Sequence, residues 1–207
     1  MSRNTLIVIG VVVVALAAFL IWLFVASSQP LPGQKIADLG RKHVPIGQKV
    51  EYNSNPPTSG DHYADWIRSG VYDSPRDDRN LVHSLEHGYV IMHYKCSENS
   101  ENSENRNVSG SDNQTSDTSD ATDSSDLSGT LSTSEFSEEC KTRKEQLVQV
   151  YEKKGKRKLI VIPRSDLDSN FALTAWNYID KLNDFDQARI EKFIDAHLNQ
   201  GPEKTME

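Results

Sequence analysis

Residues 6–26 read LIVIGVVVVALAAFLIWLFVA, twenty-one positions without a charge. A helix rising about 1.5 Å per residue carries such a run across roughly 30 Å, the thickness of a bilayer's hydrocarbon layer. The run has no polar face, which excludes a half-exposed surface helix. A cleavable signal has an apolar region of only about 7–15 residues, and Ala26-Ser27-Ser28 offers a weak cleavage signal. Residues 1–26 therefore read as a retained transmembrane signal anchor, with the lipid bilayer as the partner of residues 6–26. Basic residues stand on both sides, Arg3 before the run and Lys35, Arg41 and Lys42 after it, so the positive-inside rule assigns no orientation.

SSQPLPGQ, residues 27–34, is a Pro/Gly/Ser linker. A globular segment follows over residues 35–203, interrupted at 97–139 by a tract of Ser, Asp, Asn and Thr with few large apolar side chains. Such a tract cannot bury enough surface to offset its ordering entropy, so it is expected to be a disordered surface insertion. It holds eleven acidic residues against Arg106, a net of −10, while the whole chain carries −7; the remainder is +3. The acidity thus belongs to one segment and says little about partners of the folded part. No calcium loop with its Gly and terminal Glu stands in it. Asn107-Val108-Ser109 and Asn113-Gln114-Thr115 are sequons, which makes Asn107 and Asn113 possible glycosylation sites if the insertion faces outward.

The two cysteines, Cys96 and Cys140, bracket this insertion. Past a membrane anchor a disulfide persists, and closing a loop of about 45 residues contributes about 4 kcal/mol in the chain-entropy model. The bond would hold the two ends together whatever the insertion does. Its presence places the C-terminal part outside and the N-terminus in the cytoplasm. No Cys-x-x-Cys pair suggests redox catalysis.

Periodicity gives the elements. Residues 49–52 read as a short strand and 53–63, NSNPPTSGDHY, as turn chemistry. Residues 81–87 make two helical turns, and 89–94 alternate as a strand. Residues 140–154 form a helix with Leu147, Val148 and Tyr151 on one stripe. KLIVI, 158–162, is a strand stopped by Pro163. Residues 171–176 form another strand. Residues 186–199 are an amphipathic helix with Ile190, Phe193, Ile194 and His197 spaced for one face. Helices and strands alternate, so the fold class is α/β or α+β, a small central sheet flanked by helices and preceded by one transmembrane helix. KKGKRK, 153–158, reads as a solvated basic turn.

The chemistry concentrates in LVHSLEHGYVIMHYKC, 81–96. His83 and His87 are four apart, so a helix sets them on one face with Glu86 on its flank. His62 lies in the proline-rich turn and His43 in GRKHV. Together they offer the neutral imidazoles that transition metals accept. The metal-site set is therefore His43, His62, His83, Glu86 and His87, with copper or zinc as the ion and Met92 as an axial ligand if the ion is copper. His93 on the strand and His197 at a helix end read as structural. Two rivals stand beside the metal module. His83-Ser84-Leu85-Glu86-His87 also fits H-x-x-E-H, in which two histidines hold zinc and the glutamate is a base. Alternatively the histidines are tied up in hydrogen bonds beneath an adaptor surface that exposes Tyr63 and Trp66. There is no phosphate loop, no nucleophile elbow, and no basic stripe for nucleic acid.

GRKHV (40–44), VEYNSNPPTSGDHYADW (50–66), GVYDSP (70–75), LVHSLEHGYVIMHY (81–94), ALTAWN (172–177) and FDQARIEKFIDAHLNQGPE (185–203) resemble the uncharacterised family catalogued as domain of unknown function 3105. The resemblance covers nearly all of 35–203 outside the insertion. It implies a secreted or singly anchored extracytoplasmic domain without a defined activity, in which the positions of His43, His62, His83, Glu86 and His87 are retained. The family pattern has Pro where this chain has Asp61 and Gly where it has Asn177. Both are turn positions and leave the histidines undisturbed.

Overall fold

A computed structural model describes residues 2–27, 30–96 and 138–205. Nearly all of the acidic insertion, with Asn107 and Asn113, lies outside the described residues. In chain order the elements are α1 (Arg3–Ser27), β1 (Gln34–Lys35), β2 (Gly70–Val71), α2 (Asp78–Glu86), β3 (Val90–Lys95), α3 (Glu138–Lys153), β4 (Leu159–Arg164), β5 (Phe171–Ala175), β6 (Tyr178–Leu182) and α4 (Gln187–His197). α1 is long and apolar enough to cross a membrane, and none of its apolar window is buried against protein.

The strands form one mixed sheet in the order β1-β6-β5-β3-β4-β2, so the class is α+β. β3 lies at its centre, parallel to β4 and antiparallel to β5. The alternation of VIMHYK divides the molecule. Val90, Met92 and Tyr94 point to one face, where they pack with Leu147, Val150 and Tyr151 of α3 and Ile190, Phe193 and Ile194 of α4. Ile91 points to the other, where it meets Leu81 and Leu85 of α2 with Ile160 and Ile162 of β4. Each such buried large side chain contributes about 1.5–3 kcal/mol.

Several sequence expectations change here. Met92 lies on the α3/α4 face, across the sheet from α2, so it is no ligand for an ion held by α2. On α3 the buried stripe is Leu147, Val150 and Tyr151; Val148 sits half-buried beside it. Residues 49–52 form no strand. Pro163 does not stop β4, which runs through it to Arg164. Val161 accepts from Tyr72 N on the β2 side, and Pro163, two residues on, faces the same way, where the two-residue β2 has already ended. A missing N–H there breaks no ladder bond. β6 was not anticipated. It returns from β5 through the two-residue turn Trp176-Asn177, with Asn177 at φ +62°, a conformation asparagine tolerates better than most residues.

Cys96 and Cys140 stand at disulfide distance, their Cα atoms 5.1 Å apart. That joins the end of β3 to the first turn of α3. The two histidines read as structural have partners. His93 Nε2 lies 3.1 Å from Thr174 Oγ1 on β5. His197 Nε2 lies 2.8 Å from the Pro32 carbonyl.

Burial, and secondarily the Arg164 guanidinium, hold the His93 imidazole well below its ordinary pKa of 6.5. The folded state keeps the ring neutral while the unfolded chain takes up a proton. The stability this confers is complete above about pH 6.5 and declines as pH falls toward the folded pKa. His93→Gln is expected to flatten the acid loss of stability by up to about 1.4 kcal/mol per pH unit below pH 6.5. Denaturant titrations at stepped pH check this, and an unchanged slope refutes it.

Candidate functional site

Helix α2 starts where Asp77 accepts the Arg79 N–H at 2.9 Å, an N-cap bond. Its first turn is fixed to β4 by a two-toothed pair, Arg164 Nη1 and Nη2 to the Asp78 carboxylate at 2.6 and 3.0 Å. Leu81 and Leu85 bind the helix to the sheet. The helical period then turns His83 and Glu86 to the opposite side, into the turn-rich segment before α2. Ser84 secures that segment, donating to Ile67 O at 2.8 Å and accepting from Ile67 N at 2.9 Å. Trp66 is thereby brought over the rings of His87 and His83, at 4.8 and 5.6 Å between centroids.

The proline-rich turn is held in place by hydrogen bonds. Tyr52 Oη donates to Asp61 O at 2.8 Å, Leu39 N donates to Ser59 Oγ at 3.1 Å, and Asn177 N donates to Thr58 O at 3.0 Å. At its corner Gly60 has φ +125°, where an L side chain is strained. Residues 40–44 run parallel beside this corner. Gly60 N donates to Gly40 O, His62 N to Lys42 O and Val44 N to His62 O, all at 2.8–3.0 Å. His43 and His62 are partners in that bridge, and their side chains leave it on the same side.

Three imidazoles consequently meet. The ring centroids of His43, His62 and His83 lie 4.9–5.0 Å from one another. One donor atom from each, with a Glu86 carboxylate oxygen, forms a group within 4.8 Å. Turn and helix therefore bring their imidazoles to one place.

One hydrogen in this group can be assigned. His62 Nδ1 lies 2.8 Å from the Gly60 carbonyl, which only accepts, so Nδ1 carries the hydrogen. In the neutral ring Nε2 is then a bare lone pair. Glu86 Oε2 lies 2.9 Å from it, close enough for an ion pair but not aligned as a hydrogen bond. Nε2 has no hydrogen-bond partner among the described residues, and neither has His83 Nδ1. Burial, then the neighbouring His87, His62 and His43, push the His83 pKa below 6.5, while a backbone hydrogen bond with Tyr63 opposes them. His83 is thus held neutral, the form that ligates. On the solvent side Arg41 Nη1 lies 3.5 Å from Glu86 Oε1, and His43 is exposed.

His87 does not share this group. It forms another with His83 and Glu203, its Nε2 lying 3.7 Å from Glu203 Oε2. Glu203 was not among the expected site residues, although it closes the last stretch quoted for the resemblance. Only the folded tail reveals it. Asn199 N donates to Gly88 O at 2.7 Å and Glu203 N to Glu86 O at 3.0 Å. Lys158, expected in a solvated turn, is instead 2 % exposed. Its ammonium donates to His87 O, Asn199 Oδ1 and Thr205 O at 2.7–2.9 Å. The C-terminus of α2 and the C-terminal segment are thereby tied together.

In an H-x-x-E-H peptidase both histidines share one ion and the glutamate stands by as base; here His83 and His87 share a group with Glu203, while Glu86 joins the group of His43 and His62 and lies near Arg41. One expectation changes on this geometry. Tyr63, expected exposed on an adaptor surface, is buried, and its hydroxyl accepts from Gly47 N at 2.8 Å.

A family model described as protein of unknown function (DUF3105) matches residues 43–116 and 136–207. Every residue of both groups falls within those stretches. No curated protein and no solved structure matches the chain.

The tail's seat is tight. A Cβ at Gly201 would lie 2.2 Å from Glu86 O and 2.4 Å from Gly88 N, both backbone atoms. Gly201→Ala is expected to lower the free energy of unfolding by about 1–3 kcal/mol, the range for overpacking. Urea denaturation measures it, and an unchanged midpoint would mean that the tail does not dock there.

Proposed function

The chain belongs to the family described as protein of unknown function (DUF3105), and from that premise we propose that its domain binds one transition-metal ion through His43, His62, His83 and Glu86. The observation that carries this is the buried His62 Nε2, set 2.9 Å from Glu86 Oε2 by the contact of Nδ1 with the Gly60 carbonyl and without an aligned hydrogen bond among the described residues. A neutral imidazole nitrogen beside a carboxylate is repulsive unless a cation, a proton or a metal ion, lies between them. A neutral backbone acceptor on the far nitrogen is also how metal-binding imidazoles are commonly oriented.

Three imidazoles and one carboxylate suit zinc, which takes four such donors at about 2.0–2.2 Å. A tetrahedron of that size sets its donors about 3.3–3.5 Å apart. The present spacing, within 4.8 Å, needs only small side-chain rotations to reach it. Copper also accepts imidazoles, but Met92 lies across the sheet, so the donor set favours zinc. Glu86 acts here as a ligand, its outer oxygen near Arg41. Exposure of His43 lets the ion exchange with solvent, so the domain takes up and gives back its ion rather than locking it in.

The location follows the same reading. An apolar helix without protein packing and a cysteine pair at bonding distance support an anchored domain outside the cytosol, its N-terminus inside.

The test is metal analysis of the full chain in detergent after exposure to Zn2+ and removal of excess. One equivalent per chain is expected, with X-ray absorption showing nitrogen-rich four-coordination. His62→Ala and His83→Ala should each weaken binding at least about tenfold. Zinc at a hundred times its Kd should stabilise the wild type by about 2.7 kcal/mol. A wild-type chain that retains no zinc and gains no stability ends the proposal.

A further inference from the structure

The second group, His83, His87 and Glu203, shares an imidazole with the first. Sharing limits how the two can be used. The His83 ring bonds the Tyr63 backbone, and Nδ1 is a nitrogen without a hydrogen-bond partner among the described residues. One open nitrogen holds one ion at a time, so the two groups are alternative positions for a single ion. Neighbouring ring centroids, His62 to His83 at 4.9 Å and His83 to His87 at 4.5 Å, make the passage between them short.

The two positions also face solvent differently. The first opens past His43 beside Arg41, whose guanidinium repels an arriving dication. The second opens at the Glu203 carboxylate, whose side chain is 52 % exposed. An exposed carboxylate attracts a cation over about a Debye length, some 8 Å at physiological salt. The buried Lys158 ammonium donates to three oxygens, His87 O among them. Trp66 lies against His87 and His83, so the passage runs under an indole wall rather than through open water. The tail that carries Glu203 is held by Asn199, Lys158 and the close seat of Gly201. The carboxylate is therefore held at this place by the fold and does not drift there on a loose end.

We propose that His83, His87 and Glu203 form a second, outer position through which the ion is handed to and from the first by way of the shared His83 imidazole. This rests on the reading that the first group binds the ion. The ion is a divalent transition metal, and Zn2+ is the probe.

The experiment follows Zn2+ binding to the full chain, and its removal by excess EDTA, by stopped flow. Wild type should hold one equivalent. His62→Ala, with the first group broken, should still bind one Zn2+, about 10–100-fold more weakly. Adding Glu203→Gln to it should weaken binding at least about tenfold again. Glu203→Gln alone should slow removal by EDTA about tenfold, since an intermediate position made less stable slows passage through it. Should His62→Ala fail to fold by circular dichroism, His43→Ala replaces it, because that side chain is exposed. Two equivalents in the wild type would overturn the inference, since the positions would then fill together. So would equal binding by His62→Ala with and without Glu203→Gln, or removal from Glu203→Gln at the wild-type rate. Those outcomes leave the first position standing, whereas a wild type that binds no zinc removes both.

Discussion

A polar side chain taken out of water must find a partner, and burial of four such groups between α2 and the proline-rich turn sets the terms for the rest of the domain. His62, His83, Glu86 and His87 are each at most 4 % exposed. Left unsatisfied, each would cost roughly 1–3 kcal/mol or more. The fold answers by fixing the backbone around them. Gly60 is turned so that its carbonyl meets His62 Nδ1. Residues 40–44 are laid in parallel beside it, and the tail caps the C-terminus of α2. Among the described residues, His62 Nε2 and His83 Nδ1 are buried without a hydrogen-bond partner.

The sheet separates this task from stability. Its α3/α4 face carries the larger apolar cluster, and the cysteine pair ties α3 to the end of β3 on that side. Its α2 face carries a smaller cluster, which serves to position one short helix. Packing on one side can thus keep the domain folded while the other side accommodates close, mutually repelling imidazoles. Like groups so near one another are unfavourable in isolation, and a rigid sheet is what holds them together.

Much of this was legible in the chain. The apolar run, the α2-to-β3 passage and the amphipathic α4 follow from periodicity. The members of the main group follow from chemistry and resemblance. Other features depend on distance in space and leave little local trace. Nothing in KKGKRK indicates that its last lysine is buried, because its partners are His87, Asn199 and Thr205. A run of Ile and Val ending in Pro163 reads as a stop unless the neighbouring strand is known to be two residues long. Glu203 looks like one more acidic residue until the tail is seen folded over Gly88. Tyr178–Leu182, YIDKL, does not alternate apolar with polar side chains, and Asn177 alone is a faint turn signal before it. The division of the donors into two groups could not be read from spacing, since His83 and His87 are good helical neighbours and yet only His83 belongs to both groups.

The buried ammonium of Lys158 also bears on how the chain comes to be assembled. One partner, Thr205, is synthesised forty-seven residues later. Until then the charge has no full set of acceptors, and enclosing it early would cost several kcal/mol. β4 therefore cannot settle completely against β3 while the chain is still being made. The domain closes as residues 199–205 arrive and seat themselves, and a growing polypeptide caught before that point would have neither Glu203 nor a finished end to α2. Vectorial synthesis thus makes the seating of residues 199–205 over the end of α2 a late step of folding.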